Sequence, residues 1–247
     1  MEFEVVNIEA VPSTNNYLFN LVGEKDLEEG LVINTNNQTA GKGLGENKWE
    51  SQVGKNLTFS ILLKPDFIKA EDQFVITQIV SLAIWKICKE KLNTESLKIK
   101  WPNDIYVGNK KLAGILVQNI IKGNSISHSI IGIGLNINQE EFVSDAPNPI
   151  SMIQLLKMPL ERDSLLKEIL REINNNYTAF MSTPIDSLLN NNYIENLFRM
   201  GETHFYGDKN SRFEGKILGV DKYGQLRIKK SSGDICIYAY KEVEFIL

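Results

Sequence analysis

The chain has 247 residues, 43% hydrophobic and 23% charged, and 27 Lys and Arg against 31 Asp and Glu give a net charge of −4. That is enough apolar material for one core, or one plus a small one, without disulfide staples, while the acidic balance argues against a general nucleic-acid binder, which presents a basic face. No stretch approaches the roughly 18 unbroken apolar residues of a membrane helix, the start MEFEVVNIEA lacks the order of a signal peptide, and neither Cys88 and Cys236 nor His128 and His204 show disulfide-framework or zinc spacing. A reduced, soluble, cytoplasmic protein is expected. The 25 asparagines, with runs at 174–176 and 190–192, read as codon bias and carry no functional weight.

In chain order, Ser13-Thr14-Asn15 is an N-cap cluster followed by Tyr17, Leu18, Leu21 and Val22 at helical spacing, predicting a helix from Ser13 to Val22. Leu31 to Thr35 predicts a short strand. Residues 36–54 are rich in Gly, Asn and charge without periodicity and predict a long loop, a length that is usually functional or disordered. Leu57 to Leu63 predicts a buried strand, and Glu71 to Leu92 a long helix. Strands follow at Leu97–Trp101, Ile105–Val107, Leu112–Gln118 and Ser127–Asn138, with Gly108-Asn109 and Lys122-Gly123-Asn124 as hairpin turns, so the sheet is at least partly antiparallel. Ile150–Leu156, Ser164–Phe180 and Ile185–Leu197 read as helices. Beyond about residue 200 only short strands are predicted, at 203–206, 212–220, 225–229, 235–240 and 242–246. The expected fold is therefore α+β: a mixed, largely antiparallel sheet with helices over 1–199, then a small all-β barrel over 200–247.

Three stretches carry candidate chemistry. In Ile131 to Asn138 the side chains alternate, so one face is Ile131, Ile133, Leu135 and Ile137, and the other only Gly132, Gly134, Asn136 and Asn138. The two glycines admit close approach either of a ligand, beside which the asparagine amides would lie, or of a tightly packed helix. In Lys98 to Asp104, Pro102 interrupts the ladder just after Lys100 and Trp101; a lysine there either points into a cleft as a charge for carboxylate or phosphate, or is simply solvated. Lys110-Lys111 adds positive charge on the next strand. The loop from Gln38 to Glu50 holds Gly41-Lys42-Gly43-Leu44-Gly45, but it lacks the Walker spacing and no helix follows, so it is either a loop that folds over an anion or a disordered segment.

Taken in order, Ser13-Thr14-Asn15, Gly41-Lys42-Gly43 with Trp49, Lys100-Trp101-Pro102-Asn103-Asp104, Lys111-Leu112-Ala113-Gly114-Ile115-Leu116 and Gly132-Ile133-Gly134-Leu135-Asn136 resemble the biotin protein ligases. Gly215 to Asp221 and Gly224-Gln225-Leu226 resemble that family's C-terminal SH3-like domain, so the likeness spans nearly the whole chain. It implies a catalytic domain of the class II synthetase-like type over 1–199 and an SH3-like domain over 200–247. It also implies a two-step reaction: biotin and ATP, with Mg²⁺, give biotinyl-5′-AMP, and a lysine of a biotin carboxyl carrier protein then takes the biotin.

By the same resemblance, Ser13, Thr14 and Asn15 meet the ureido ring, and Gln38 with Gly41, Lys42, Gly43 and Leu44 closes over the ligand. Trp49, Lys111 and Gly114 belong to the substrate site. Lys100 is the catalytic cation between biotin carboxylate and α-phosphate. Gly132 and Gly134 give backbone access, and Asn136 helps to hold the metal-bound triphosphate, touching Mg²⁺ only indirectly. The family's loop carries arginine where this chain has Lys42, and often a second where it has Leu44, which leads us to expect a looser grip on the adenylate. Asp104 is a candidate proton acceptor for the transfer step and equally a residue that fixes the turn. No N-terminal DNA-binding domain and no DNA or membrane partner are expected, and a homodimer is left open. The competing readings are a lipoate ligase, which needs a long apolar slot, and a non-catalytic biotin- or nucleotide-binding regulator.

Overall fold

The computed structural model describes residues 1–247 except 46, 145–147 and 183–185. Its first part runs β1 (Glu4–Val11), α1 (Thr14–Glu24), β2 (Leu31–Gln38), β3 (Leu57–Leu63), a 3-10 turn (Ala70–Asp72), α2 (Phe74–Leu92), β4 (Leu97–Lys100), β5 (Asp104–Val107), β6 (Lys110–Lys122) and β7 (Ser125–Leu135). Then come α3 (Met152–Leu156), α4 (Arg162–Ser182) and α5 (Asp186–Glu195). The seven strands form one sheet in the order β1-β2-β3-β7-β6-β5-β4. Only β1 and β2 are parallel, with α1 as their crossover; the remaining pairs are antiparallel, two of them closed by turns at Gly108 and Gly123, both in the left-handed conformation.

Alternation along the strands divides the core. Phe59, Ile61, Ile115, Ile131 and Ile133 bury one face together with α2 and α4, whereas Ile33, Leu62 and Ile130 pack with Leu18 of α1 on the other. From Val75 to Ile84 α2 is buried on every residue, so it is a core helix and not an amphipathic one. None of the helices among the described residues is long and apolar enough to cross a membrane.

Five short strands follow: β8 (Thr203–Asp208), β9 (Arg212–Val220), β10 (Leu226–Lys230), β11 (Ile235–Tyr238) and β12 (Val243–Phe245). They make an antiparallel sheet in the order β11-β10-β9-β8-β12 around Tyr206, Ile217, Leu226 and Ile228. The α+β expectation holds, with local corrections. The strand β1 was not anticipated, because it is an edge strand whose residues 4–7 are exposed and show no alternation. β2 continues to Gln38 because Asn37 and Gln38 pair with Ala10 and Val11, which shortens the expected loop. Residues 70–72 form a separate 3-10 turn before α2, and β7 ends at Leu135, leaving Asn136 and Asn138 beyond the ladder. Of the helix expected at 185–197, residue 185 lies outside the described residues and α5 ends at Glu195.

The two sheets are joined firmly. Trp101 Nε1 donates to the Gly224 carbonyl at 2.8 Å, and Arg199 donates to the Ile246 carbonyl at 3.0 Å. An aromatic chain, Tyr106–Phe198–Phe245–Tyr206, crosses the joint with centroid spacings of 5.7, 6.3 and 5.4 Å. At Gly224, where φ is +80°, a Cβ would stand 2.2 Å from the Phe74 ring, itself held edge-on by Tyr193. Gly224→Ala is therefore expected to lower the urea midpoint by the equivalent of about 2 kcal/mol or more, from overpacking and a left-handed alanine together. An unchanged midpoint would show that this joint yields freely.

Candidate functional site

A cleft of about 740 Å³ opens on the α1 side of the large sheet, between it and the C-terminal strands. Its floor is β7. Gly132 faces Asn15 so closely that a Cβ would lie 2.8 Å from Asn15 Nδ2, and at Gly134 a Cβ would lie 2.3 Å from Cε2 of Trp49. The bare strand face thus receives two side chains of the same chain, one from the start of α1 and one from the Gly-rich loop. Gly114, the neighbour of Gly134 on β6, lets the same indole lie against β6.

Ser13 caps α1, its Oγ accepting from the Asn16 N–H at 3.4 Å, and this fixes the next two residues over the floor. Thr14 donates its N–H to Gln38 Oε1 at 3.0 Å, and its hydroxyl lies 2.8 Å from Ser60 Oγ. Asn15 Nδ2 donates to the Leu116 carbonyl at 3.3 Å, but its Oδ1 is buried with no donor, as is Trp49 Nε1 with no acceptor. Buried polar groups are normally paired, so these two atoms mark the floor as a surface that still has hydrogen bonds to give.

The two sides of the Gly-rich segment pair as a hairpin. Trp49 N donates to Gly41 O at 3.0 Å, Gly43 N to Asn47 O at 2.7 Å, and Lys42 bridges to Lys48; Gly45, at φ +70°, allows the turn. Its exit is tied down by Glu50, whose carboxylate accepts from Gln139 Nε2, Val143 N and Ser144 N at 3.0, 3.0 and 2.8 Å. Burial raises the Glu50 carboxyl, yet these donors outweigh it and hold the group below its ordinary pKa.

Opposite the hairpin, Lys100 ends β4 half-buried. Its Nζ lies 3.4 Å from Tyr106 OH and sits 4.9 and 5.1 Å from the ring centroids of Tyr106 and Phe245. Burial lowers its pKa; Asp104 and Glu244 offset part of that, and Lys111 and Arg199 add to it. Asp104 is ion-paired to Lys111 at 2.8 Å, and Lys111 in turn stands 5.7 Å from the Trp49 ring centroid. The Pro102 carbonyl between them accepts from Tyr193 OH at 2.7 Å. The cleft therefore combines a polar cradle at Thr14, Asn15 and Gln38 with a desolvated cation, the arrangement needed to hold a neutral polar ring at one end and an anion at the other.

Every residue expected at the site lines this cleft except Gly41 and Asn136. Gly41 lies just behind it, where a Cβ would meet the Trp49 carbonyl at 2.4 Å. Asn136 is turned away: 2% exposed, it donates to the Ile150 carbonyl at 3.1 Å and ties the end of β7 to α3. Alternation placed it beside the glycines, but the chain leaves the sheet at Leu135, so the alternation stops there. Sequence reasoning missed the far wall, which is Tyr240, Lys241, Val243, Glu244, Phe245 and Ile246, together with Tyr106; short β-strand patterns carry no mark of what they face. Among the described residues no cluster of three or more His, Cys, Asp or Glu could hold a metal ion, so a resident metal does not fit them. Gly134→Ala should expel the Trp49 ring from the floor and red-shift its emission, since a 2.3 Å approach to a strand Cβ forces the indole to move; an unshifted spectrum would mean that the indole is not seated there.

Residues 8–136 match the profile of the Biotin/lipoate A/B protein ligase family. Over 219 residues the chain is 31% identical to the bifunctional ligase/repressor BirA of Bacillus subtilis, covering 85% of this chain and 65% of that protein. It is 29% identical to the bifunctional ligase/repressor BirA of Escherichia coli over 231 residues, covering 92% of this chain and 69% of that one. Among solved structures it superposes on the biotin protein ligase from Aquifex aeolicus in complex with biotin and ATP with a TM-score of 0.81, at 24% identity over 98% of both chains. That likeness shows a shared fold.

Proposed function

Because the chain belongs to the biotin/lipoate A/B protein ligase family, we propose that it is an ATP-dependent ligase that activates biotin as biotinyl-5′-AMP and transfers it to a lysine of a biotin carboxyl carrier protein. The observation that carries this reading is the convergence in one cleft of Thr14, Asn15, Gln38, the glycine hairpin and Lys100, segments far apart in sequence. Ser13, Thr14 and Asn15 would hold the ureido ring with Gln38, and Lys42, Gly43, Leu44 and Trp49 would cover the ligand. Lys100 would sit between carboxylate and α-phosphate. The division we propose is a catalytic unit over 1–199 and an SH3-like unit over 200–247 whose last strand closes the cleft.

In the first step the biotin carboxylate, already ionised at neutral pH, attacks the α-phosphorus; the new C–O–P bond forms as the bond to pyrophosphate breaks. No base is needed, but two anions must meet, and a cation drawn out of water, as Lys100 is, acts on them more strongly than a solvated one. Mg²⁺ would enter on the ATP phosphates and neutralise part of their charge. In the second step a neutral acceptor amine attacks the acyl carbon, the C–O bond to AMP breaks with its electron pair going to the AMP phosphate oxygen, and the amine gives up one proton to that phosphate or to water. The ion pair of Asp104 with Lys111 supports a positioning role for that carboxylate, since both groups are already committed to each other. Leu44, half-buried on the cleft, supports closure by an apolar side chain where an arginine would use charge.

ATP–pyrophosphate exchange tests this directly: it is expected with biotin and not with lipoate. Lys100→Ala should lose roughly 10²–10³-fold in that exchange while remaining folded; near-normal exchange would remove Lys100 from the chemistry. Release of preformed biotinyl-5′-AMP should be faster from Leu44→Arg than from the wild type if Leu44 is an apolar cover, and slower if the loop grips by charge.

A further inference from the structure

Lys241 stands on the far wall of the cleft, in the tight turn between β11 and β12. Glu242 N donates to Ala239 O at 3.1 Å, and Ala239 N donates to Glu242 Oε2 at 2.8 Å, so the turn is closed on itself. Within it Lys241 adopts φ +68°, the left-handed region that favours glycine. A lysine held there is strained, and a glycine would relieve it.

The strain aims the chain across the cleft. Lys241 Nζ lies 2.5 Å from the point where a Cβ on Gly45 would stand, at the tip of the Gly-rich hairpin. It is the C-terminal sheet's side chain that reaches that tip, and a residue with a Cβ at 45 would block it. Among the described residues no carboxylate lies within ion-pair distance of it. Of the other ammonium groups lining the cleft, Lys111 is paired with Asp104 at 2.8 Å and Lys100 is enclosed by the rings of Tyr106 and Phe245, while Lys42 and Lys48 belong to the hairpin itself. Lys241 has, among the described residues, only the Tyr240 ring, 6.0 Å away. Glu244 is the remaining acidic side chain lining that wall.

We propose that Lys241 is the cation that holds the outer phosphates of ATP, the part that departs as pyrophosphate, by clamping them between the C-terminal turn and the tip of the Gly-rich hairpin. The inference rests on the reading that this cleft takes ATP. Lys100 is half-buried at the inner end and Lys241 is exposed at the rim, so a phosphate chain whose α-phosphorus meets Lys100 runs outward toward Lys241. Its ammonium supplies there, from the opposite wall, a charge that adds to those of Lys42 and Lys48 on the hairpin.

Lys241→Gly, Lys241→Ala and Lys241→Arg, each as the full chain, test it by two readouts: equilibrium binding of ATP without biotin, and exchange kinetics with ATP and biotin varied in turn. Lys241→Gly should melt no lower than the wild type, because the left-handed position suits it, yet bind ATP roughly tenfold more weakly and raise the KM for ATP by a similar factor. The KM for biotin should stay within about twofold, the signature of a contact to one substrate only. Lys241→Ala should show the same weakening with a lower melting temperature, and Lys241→Arg should restore ATP binding. ATP affinity unchanged in Lys241→Gly, or KM rising equally for both substrates, overturns the proposal. Wild-type chain that binds ATP through Lys241 but shows no exchange with biotin upholds it and overturns the biotin reading; wild-type chain that binds no ATP overturns both.

Discussion

Gly132 and Gly134 leave the α1-side face of β7 without a Cβ at two successive positions, and the cleft is organised around that bare strip. Asn15 and Trp49 occupy it at distances that no other residue type on β7 would allow. A glycine inside a strand weakens the strand, by roughly 0.5–1 kcal/mol relative to alanine, so two of them must be offset. The offset lies on the opposite face, where Ile131, Ile133 and Leu135 are almost wholly buried against α2 and its neighbours. Burying such side chains contributes about 1.5–3 kcal/mol each, which outweighs the glycine penalty. One strand thus anchors the core with one face and leaves room for a ligand-binding surface with the other.

The second constraint is the joint between the sheets. A lysine as enclosed as Lys100 loses hydration that the chain must replace, and it does so with the π faces of Tyr106 and Phe245, one from each sheet. Those rings belong to the aromatic chain that crosses the joint. The stability of the interface and the electrostatic state of the cation are consequently the same set of contacts. Displacing the C-terminal sheet would uncover Lys100 on one side, rehydrate it and weaken its pull on an anion.

What was legible in the sequence follows from how local each signal is. The cap at Ser13, the buried strand from Leu57, the hairpin turns at Gly108 and Gly123 and the alternation before Asn136 depend on neighbours within a few residues, and each appears in the fold. The edge strand β1 has no buried face to impose a period, so its pairing with β2 could be found only in three dimensions. Asn136 shows the limit of a pattern: its alternation with Gly132 and Gly134 is real in sequence, but its backbone still bonds to Leu112 of β6 while its side-chain amide turns to the Ile150 carbonyl and not into the cleft. The family resemblance supplied the cradle, the hairpin and Lys100 among the lining residues, yet the far wall came from short strands whose sequence describes only their own sheet.

These features together show what holds the glycine hairpin in place. A Gly-rich segment loses more conformational freedom on ordering than any other, so the hairpin must be held from several directions. Its exit is fixed through Glu50, whose carboxylate takes three donors from Gln139, Val143 and Ser144. Its Trp49 ring packs against the glycines of β6 and β7, and its tip meets Lys241. The exit is held by the segment that follows β7 and the indole by the glycines of β6 and β7, whereas the tip is met by the turn between β11 and β12. The tip of the hairpin and the polar cradle at Thr14 and Asn15 are thus held by different parts of the chain.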